Sequence, residues 1–299
     1  MSKTILLTGG TGFLGGHILN KLVKLDYHII VLVRKTSNQN VIRLISEKIT
    51  VFIIDDDKSN LKDLFRNYSI EIIIHTATDY GRNSSLANVL ETNVILPIKL
   101  IEEGLNSKLE HFINTDTFFA KDQYIDCSYM NHYVKSKRIL KEFLVGLSKK
   151  VNVSNLRLEH VFGENDSKQK FVTTLFKQLL ENKEDIYLTK GIQTRDFIYV
   201  EDVVQAFISV LKHTNVLEGY NEFEVGLGNS IRVREFVEKV SAASNSSSKL
   251  WFGKVPIQDG EIMHSIADIG ALSKIGWKPR YSIDLAIRKI INEERNKRK

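Results

Sequence analysis

A strand that breaks into glycines and resumes as a helix constrains this chain more than any other feature. Ile5, Leu6 and Leu7 form a short apolar run that reads as a buried strand, ending at Thr8. Gly9, Gly10, Gly12 and Gly15 follow, and Leu14, Ile18, Leu22 and Leu25 recur at helical spacing. Strand, glycine turn and helix in that order are the fingerprint of a dinucleotide-binding βαβ unit. The glycines let backbone N–H groups approach a pyrophosphate, and the helix N-terminus adds a favourable dipole. Gly9, Gly12, Phe13, Leu14 and Gly15 are therefore the expected phosphate-side residues, although the spacing is G-x-x-G-x-x-G rather than G-x-G-x-x-G.

Further strand patterns fall at 28–33, 49–54, 70–75, 110–115 and 151–157, most of them nearly continuous apolar runs. Such runs suit a parallel sheet covered on both faces. Helical patterns lie between them, the long ones at about 86–106 and 131–149. This βαβα order predicts an α/β protein with a Rossmann-type doubly wound parallel sheet. The second half mixes helical patterns, at about 168–182, 201–213, 232–244 and 283–295, with short strands at 185–188, 196–200 and 222–226.

Composition narrows the function classes. The 299 residues are 42% hydrophobic and 26% charged, ordinary for a globular chain, and no apolar run is long enough to span a bilayer. The single cysteine, Cys127, excludes an intramolecular disulfide and suits a reducing compartment. No charged and apolar leader precedes the first strand, so a cytoplasmic location is expected. Part of the net charge of +6 is a solvated tail at 293–299, read as a frayed helix end rather than a nucleic-acid site. The remainder fits a site for nucleotides. Dispersed histidines without HxxxH or Cys/His pairing predict no metal centre.

Tyr133 and Lys137, in YVKSK, stand four apart on a helical pattern and so share a face. A phenol is unreactive at its reference pKa of about 10, and an adjacent ammonium favours the phenolate. The two therefore form a usable acid–base pair. Tyr129 has no such partner, because the residue four positions on is Tyr133. In FINTDTFF, residues 112–119, Thr115 and Thr117 lie on the same side of an extended chain. Arg34 closes the second strand. An acidic residue there would select NAD through the ribose hydroxyl, whereas an arginine suits the 2′-phosphate of NADP, with Lys35 beside it to assist. His75 reads as a packed strand-end histidine.

TGGTGFLG resembles the short-chain dehydrogenase/reductase superfamily, in particular its extended, nucleotide-sugar-modifying branch. By that resemblance YVKSK is the Tyr-x-x-x-Lys motif, and Thr115 or Thr117 stands for the third catalytic group. An ungapped match to the epimerases, which read FIFSSS here, puts Thr117 on the catalytic serine; a match to the dehydratases, which read STDE, puts Thr115 there. The ungapped register is preferred. Neither register supplies the dehydratases' glutamate, so dehydration is disfavoured. The resemblance also implies an aspartate near the adenine, for which Asp55 is chosen from Asp55, Asp56 and Asp57. From HTATDYGR, residues 75–82, it implies Ala77 beside the cofactor, with Thr78 and Tyr80 facing the sugar.

LRLEHVFGEND (156–166) and RDFIYVEDVV (195–204) have close analogues in the extended branch. They imply substrate contact at His160 and phosphate binding at Arg195, the alternative for the arginine being an ion pair with Asp196 or Glu201. ADIGALSKIGWKP (267–279) resembles the branch's C-terminal helix and LGW turn, but PIQDGE places Gln258 and Asp259 where an arginine is usual. INTDT, LRLEHVFG and HTATDYGR together are most similar to the enzymes of CDP-linked dideoxyhexoses, the abequose and paratose synthases, which reduce a 4-keto sugar. Implied domains are a dinucleotide-binding one over 1–160, with 196–228 returning to it, and a smaller mixed α/β nucleotide-sugar-binding one over 161–195 and 229–299.

The activity implied is NADPH-dependent 4-ketoreduction of a nucleotide sugar for surface polysaccharide, with NAD as the other candidate cofactor. Tyr133 would donate the proton, Lys137 would lower its pKa and hold the nicotinamide ribose, and Thr117 would bond the developing alkoxide. An epimerase that retains NAD is the alternative that Arg34 argues against. A catalytically silent cofactor sensor is the one that the intact Tyr133, Lys137 and Thr117 set argues against. The resemblance further implies a homodimer built on the two long helices, with Leu90, Val94, Leu140 and Leu144 as candidates to face the partner.

Overall fold

The computed structural model describes residues 2–38, 42, 46–124 and 130–297; Cys127 and Tyr129 lie outside them. In chain order the elements are β1 (Thr4–Thr8), α1 (Phe13–Leu22), β2 (His28–Arg34), β3 (Thr50–Ile54), α2 (Leu61–Asn67) and β4 (Ile72–His75). Next come α3 (Leu86–Leu90), α4 (Leu96–Leu105), β5 (His111–Thr117), α5 (Asn131–Leu147), β6 (Asn152–Leu158) and β7 (His160–Phe162). They are followed by α6 (Phe171–Leu180), β8 (Asp185–Leu188), β9 (Thr194–Arg195), β10 (Phe197–Tyr199), α7 (Val200–Lys212) and β11 (Tyr220–Val225). The last are β12 (Ile231–Arg232), α8 (Val233–Ser244), β13 (Lys249–Phe252), α9 (Gly270–Lys274) and α10 (Ile283–Asn296). The chain divides into one unit of Met1–Ala120, Met130–Arg157 and Phe207–Phe223, and a second of Lys121–Tyr129, Leu158–Ala206 and Glu224–Lys299.

A seven-stranded sheet runs in the order β11-β6-β5-β4-β1-β2-β3. The order reverses at β1, which pairs in parallel with both β2 and β4, and that reversal opens the crevice in which doubly wound sheets bind ligands. The expected α/β fold is present, and each sheet strand expected up to residue 157 forms within two residues of its forecast position.

Apolar runs bury both faces of the sheet. Leu6, flanked in register by Ile30 and Ile73, shares a core with Phe112, Leu64, Leu100, Leu140 and Leu144, which brings α2, α4 and α5 onto that face. Ile5, Leu7, Val31 and Ile74 alternate with these residues and are as fully buried. The helical pattern at 86–106 is not continuous: a π turn over Glu91–Ile95 separates α3 from α4.

One expectation is corrected here. Leu140 and Leu144 belong to the core, and Val94 is buried as well. The reason lies in helix geometry: positions 133, 137, 140 and 144 form one stripe of α5, so the face that carries Tyr133 and Lys137 inward carries both leucines with it. The apolar residues left exposed on these elements are Leu86, Ile95, Ile139, Phe143 and Val145.

The second unit contains three two-stranded pairs, β7 with β10, β9 with β12 and β8 with β13. Phe197 stacks on Phe236 at 4.0 Å and Phe162 meets Phe236 edge-on at 5.4 Å, an aromatic core between β7, β10 and α8. Asp196 accepts the backbone N–H groups of Leu227, Gly228 and Ala267 at 2.7, 3.0 and 3.1 Å. Asp202 does the same for Arg280 and Tyr281 at 2.9 and 3.0 Å. Both aspartates of RDFIYVEDVV thus hold loops in place.

Candidate active site

The glycine turn is built for close approach. Gly9 has φ +71°, and a Cβ there would lie 2.6 Å from Thr76 Oγ1; a Cβ on Gly15 would lie 2.1 Å from the carbonyl oxygen of Gly9. Gly12 donates its N–H to that same carbonyl at 2.9 Å and caps α1 without any side-chain hydrogen bond. The first N–H groups of α1 therefore have no side-chain acceptor, and the turn fits a pyrophosphate. Thr8 ties the ends of β1 and β4 together. Its hydroxyl accepts from the N–H groups of Thr76 and Ala77, both at 3.2 Å, and lies 2.9 Å from His75 Nδ1. His75 stacks on Phe112, and burial lowers its pKa to about 3, so it is a neutral structural residue.

β2 ends in Arg34, whose side chain is exposed. Lys35 does not stand free beside it: its Nζ lies 3.1 Å from Asp55 Oδ1.

Tyr133 and Lys137 are buried on the inner face of α5, at 6% and 2% exposure. Of the two candidate threonines, Thr117 is the one whose hydroxyl stands against the Tyr133 phenol, where it lowers the phenol pKa. Thr115 instead offers its backbone carbonyl to Lys137 Nζ at 2.8 Å, and its buried hydroxyl has no hydrogen-bond partner among the described residues. The Lys137 ammonium also reaches Thr78 Oγ1 at 3.3 Å.

The expected lowering of the tyrosine pKa by Lys137 is not what this arrangement produces. Burial first and then Tyr80 push the phenol well above 10; the Thr117 hydroxyl opposes them, and Asp116 adds the smallest push. Lys137 aims its donors at Thr115 and Thr78, and burial brings it down to about 8. The phenol is thus held protonated.

Tyr80 leans over this pair, its ring 5.1 Å from that of Tyr133, and is 44% exposed. The loop that bears it is pinned by residues the sequence did not flag. Asn93, in the π turn, accepts the Asp79 N–H at 2.8 Å and donates to Asp79 O at 2.8 Å and Ser136 Oγ at 2.9 Å. Ser136 in turn bonds the Tyr133 carbonyl at 2.7 Å. A polar residue amid the apolar positions Leu90, Val94 and Leu96 was the available signal. Asp116, between the two threonines, accepts the Thr117 N–H at 2.8 Å and Asn155 Nδ2 at 2.9 Å, with Arg157 Nε at 3.7 Å.

His160 and Arg195 lie in the second unit. Burial holds the His160 pKa well below 6.5, and its ring meets Phe197 at 5.8 Å. Arg195 is 4% exposed and pairs with neither Asp196 nor Glu201. It bonds Glu261 at 2.8 Å and the Thr194 carbonyl at 2.9 Å, while Asp196 holds backbone amides and Glu201 holds Tyr281 and Lys289. Also unforeseen is Lys121, whose Nζ bonds Glu159 at 2.9 Å, Glu224 at 2.8 Å and the Ile266 carbonyl at 2.7 Å. Burial pushes Glu159 up to about 7 in spite of that ammonium. Among the described residues no helix is long and apolar enough to cross a membrane.

Residues 5–226 match the model of the NAD dependent epimerase/dehydratase family. The chain is 37% identical to the CDP-abequose synthase of Salmonella muenchen over 98% of both chains. It is 31% identical to the CDP-abequose synthase of Salmonella typhimurium, over 97% of this chain and 98% of that one. Among solved structures, the UDP-glucose 4-epimerase of Thermotoga maritima with UDP-glucose superposes with a TM-score of 0.84 at 20% identity, over 99% of this chain and 100% of that one. The Thermus thermophilus UDP-glucose 4-epimerase complex with NAD superposes at 0.81 and 20% identity, over 98% of this chain and 99% of that one. These two share the fold.

Proposed function

The chain belongs to the NAD dependent epimerase/dehydratase family, and we propose that within it the protein is an NADPH-dependent reductase of the 4-keto group of a CDP-linked deoxysugar, serving surface-polysaccharide synthesis. The observation that carries this reading is the Tyr133 phenol, buried, protonated and set beside the Thr117 hydroxyl, with Lys137 one turn further along the same helix. The full-length likeness to two CDP-abequose synthases supports the sugar class, and Arg34 supports the 2′-phosphate.

The nicotinamide, when bound, supplies a hydride to the carbonyl carbon. Tyr133 gives its proton to the carbonyl oxygen as that oxygen becomes an alcohol, so that one ketone, one hydride and one proton make one hydroxyl. The Thr117 hydroxyl stands beside the phenol to bond the developing alkoxide. Lys137, charged below about pH 8, would favour that negative charge and hold the nicotinamide ribose, and Ala77, whose N–H donates to the Thr8 hydroxyl, would lie beside the cofactor. Asp55 lies toward the adenine. Thr78 and Tyr80 line the sugar side, with Thr78 held in place through Lys137. The first unit is read as the dinucleotide-binding domain and the second as the nucleotide-sugar-binding domain, through His160 and Arg195. The exposed Ile95, Ile139 and Phe143 support a homodimer through this helical face.

The purified protein is to be denatured and its released nucleotides analysed, and NADPH consumption followed on a CDP-linked 4-keto dideoxyhexose. Consumption with no retained NAD is the expected result. Stoichiometric retained NAD and no net consumption would replace the reductase by an epimerase. Sedimentation equilibrium at micromolar concentration checks the dimer, which a mass of one chain would exclude.

A further inference from the structure

We propose that Asp55 sets the cofactor preference of this chain by holding Lys35 away from the 2′-phosphate that distinguishes NADP from NAD, which leaves Arg34 as the cation that binds it. The inference rests on the nicotinamide cofactor proposed above.

Strand register creates the juxtaposition. Arg34, the last residue of β2, pairs with Ile54, the last of β3. One residue further along each parallel strand stand Lys35 and Asp55, and their side chains meet at 3.1 Å. Asp55 is braced from behind: its N–H donates to Asn60 Oδ1 at 3.0 Å, and Asn60 Nδ2 donates to the Ile53 carbonyl at 2.9 Å. Asp56 and Asp57 follow at once, so the edge facing Lys35 carries a run of carboxylates. Their field adds to that of Asp55 in raising the Lys35 pKa. Arg34 differs. Its backbone N–H bonds Ser37 Oγ at 3.1 Å, and its guanidinium makes no ion pair among the described residues.

The Lys35–Asp55 pair is itself weak, because both side chains are more than a third exposed. Its effect comes from where it puts charge. A 2′-phosphate is dianionic and would approach Arg34 with a carboxylate close by, while the second cation is already partnered. NADH carries a hydroxyl at that place and feels neither effect. The chain therefore takes both cofactors, with a modest preference for NADPH that Asp55 limits.

A double-mutant cycle read by binding alone tests this. NADPH and NADH are titrated at low salt, by nicotinamide fluorescence, against the unaltered protein, Asp55→Asn, Lys35→Gln and the double variant. Asparagine keeps an acceptor for the adenine, and any loss common to both cofactors cancels in their ratio. Asp55→Asn is expected to raise the NADPH:NADH affinity ratio about fivefold to tenfold. Lys35→Gln alone should change it less than about twofold, and the double variant should lose most of the gain. The proposal is overturned if Asp55→Asn leaves the ratio unmoved, or if Lys35→Gln lowers it equally in both backgrounds. Binding of neither cofactor by the unaltered protein would remove the proposed function, and this inference with it. Binding of both with an insensitive ratio would remove the inference alone.

Discussion

Lys137 in the first unit and Lys121 in the second are both buried, at 2% and 5% exposure, yet their pKa values move in opposite directions. Burial disfavours the charge on each. For Lys121 that cost is outweighed by Glu159 and Glu224, and all three of its donors find acceptors. For Lys137 the direct partners are a carbonyl and a hydroxyl, and the one carboxylate that favours its charge is Asp116, so its pKa falls to about 8. A buried ammonium with matched carboxylates holds structure together. One with neutral partners remains poised for an anion formed beside it, which is what an alkoxide in the transition state would be.

Four experiments press on this contrast. The largest effect is expected at the proposed acid: Tyr133→Phe should lower kcat by about 10⁴-fold, with NADPH affinity within a few-fold of the unaltered protein. Near-normal steady-state turnover would take the phenol out of the mechanism. Next is the pair of lysines. Lys121→Met leaves two carboxylates without their cation and should cost about 3–5 kcal/mol in denaturant unfolding. Lys137→Met should cost no more than about 1 kcal/mol while turnover is lost. Equal stability losses in the two would end the comparison.

Thr117→Ala should lower kcat by about 10²–10³-fold, the loss of one hydrogen bond to a developing oxyanion, and Thr115→Ala by less. The reverse order of kcat values would transfer the role to Thr115. The smallest effect is a matter of pH. Lys137 loses its proton at about 8, so kcat/KM should fall up to tenfold per unit above that, with Tyr133 still protonated. Stability runs the other way for this residue. Between its folded pKa and 10.5 the unfolded chain binds the extra proton, so stability rises with pH in that window, and Lys137→Met should abolish the rise. Lys121 has a raised pKa, and its contribution is lost only as pH climbs past 10.5. A pH–stability profile indifferent to Lys137→Met would show that the ammonium is not desolvated as described.

Much of the sheet and of the proposed acid–base pair was legible because it rests on local periodicity. Apolar runs marked β1 to β6, and a spacing of four put Tyr133 and Lys137 on one face. The same periodicity misleads where it cannot say which apolar face is inward: Leu140 and Leu144, candidates to face a partner, are core. Short strands such as β9 and β12, of two residues each, exist only because a partner strand lies alongside, and no local pattern announces them. Asn93, Ser136, Lys121 and Glu261 escaped for a related reason. Each acts on residues 38 to 145 positions away, or, for Asn93 and Asp79, 14 positions through a π turn.

What the amino-acid sequence determined by itself was the alternation of strand and helix, the glycine turn that only small residues can make, and the face shared by Tyr133 and Lys137. These depend on backbone sterics and on repeats of two and of three to four residues, which act within a few positions. Only the tertiary structure decided which threonine meets the phenol, that Lys35 is taken by Asp55, and that one buried lysine is matched while the other is left poised. Charge and hydrogen bonding act through space, across distances that only folding brings within reach, and burial sets their strength by removing water.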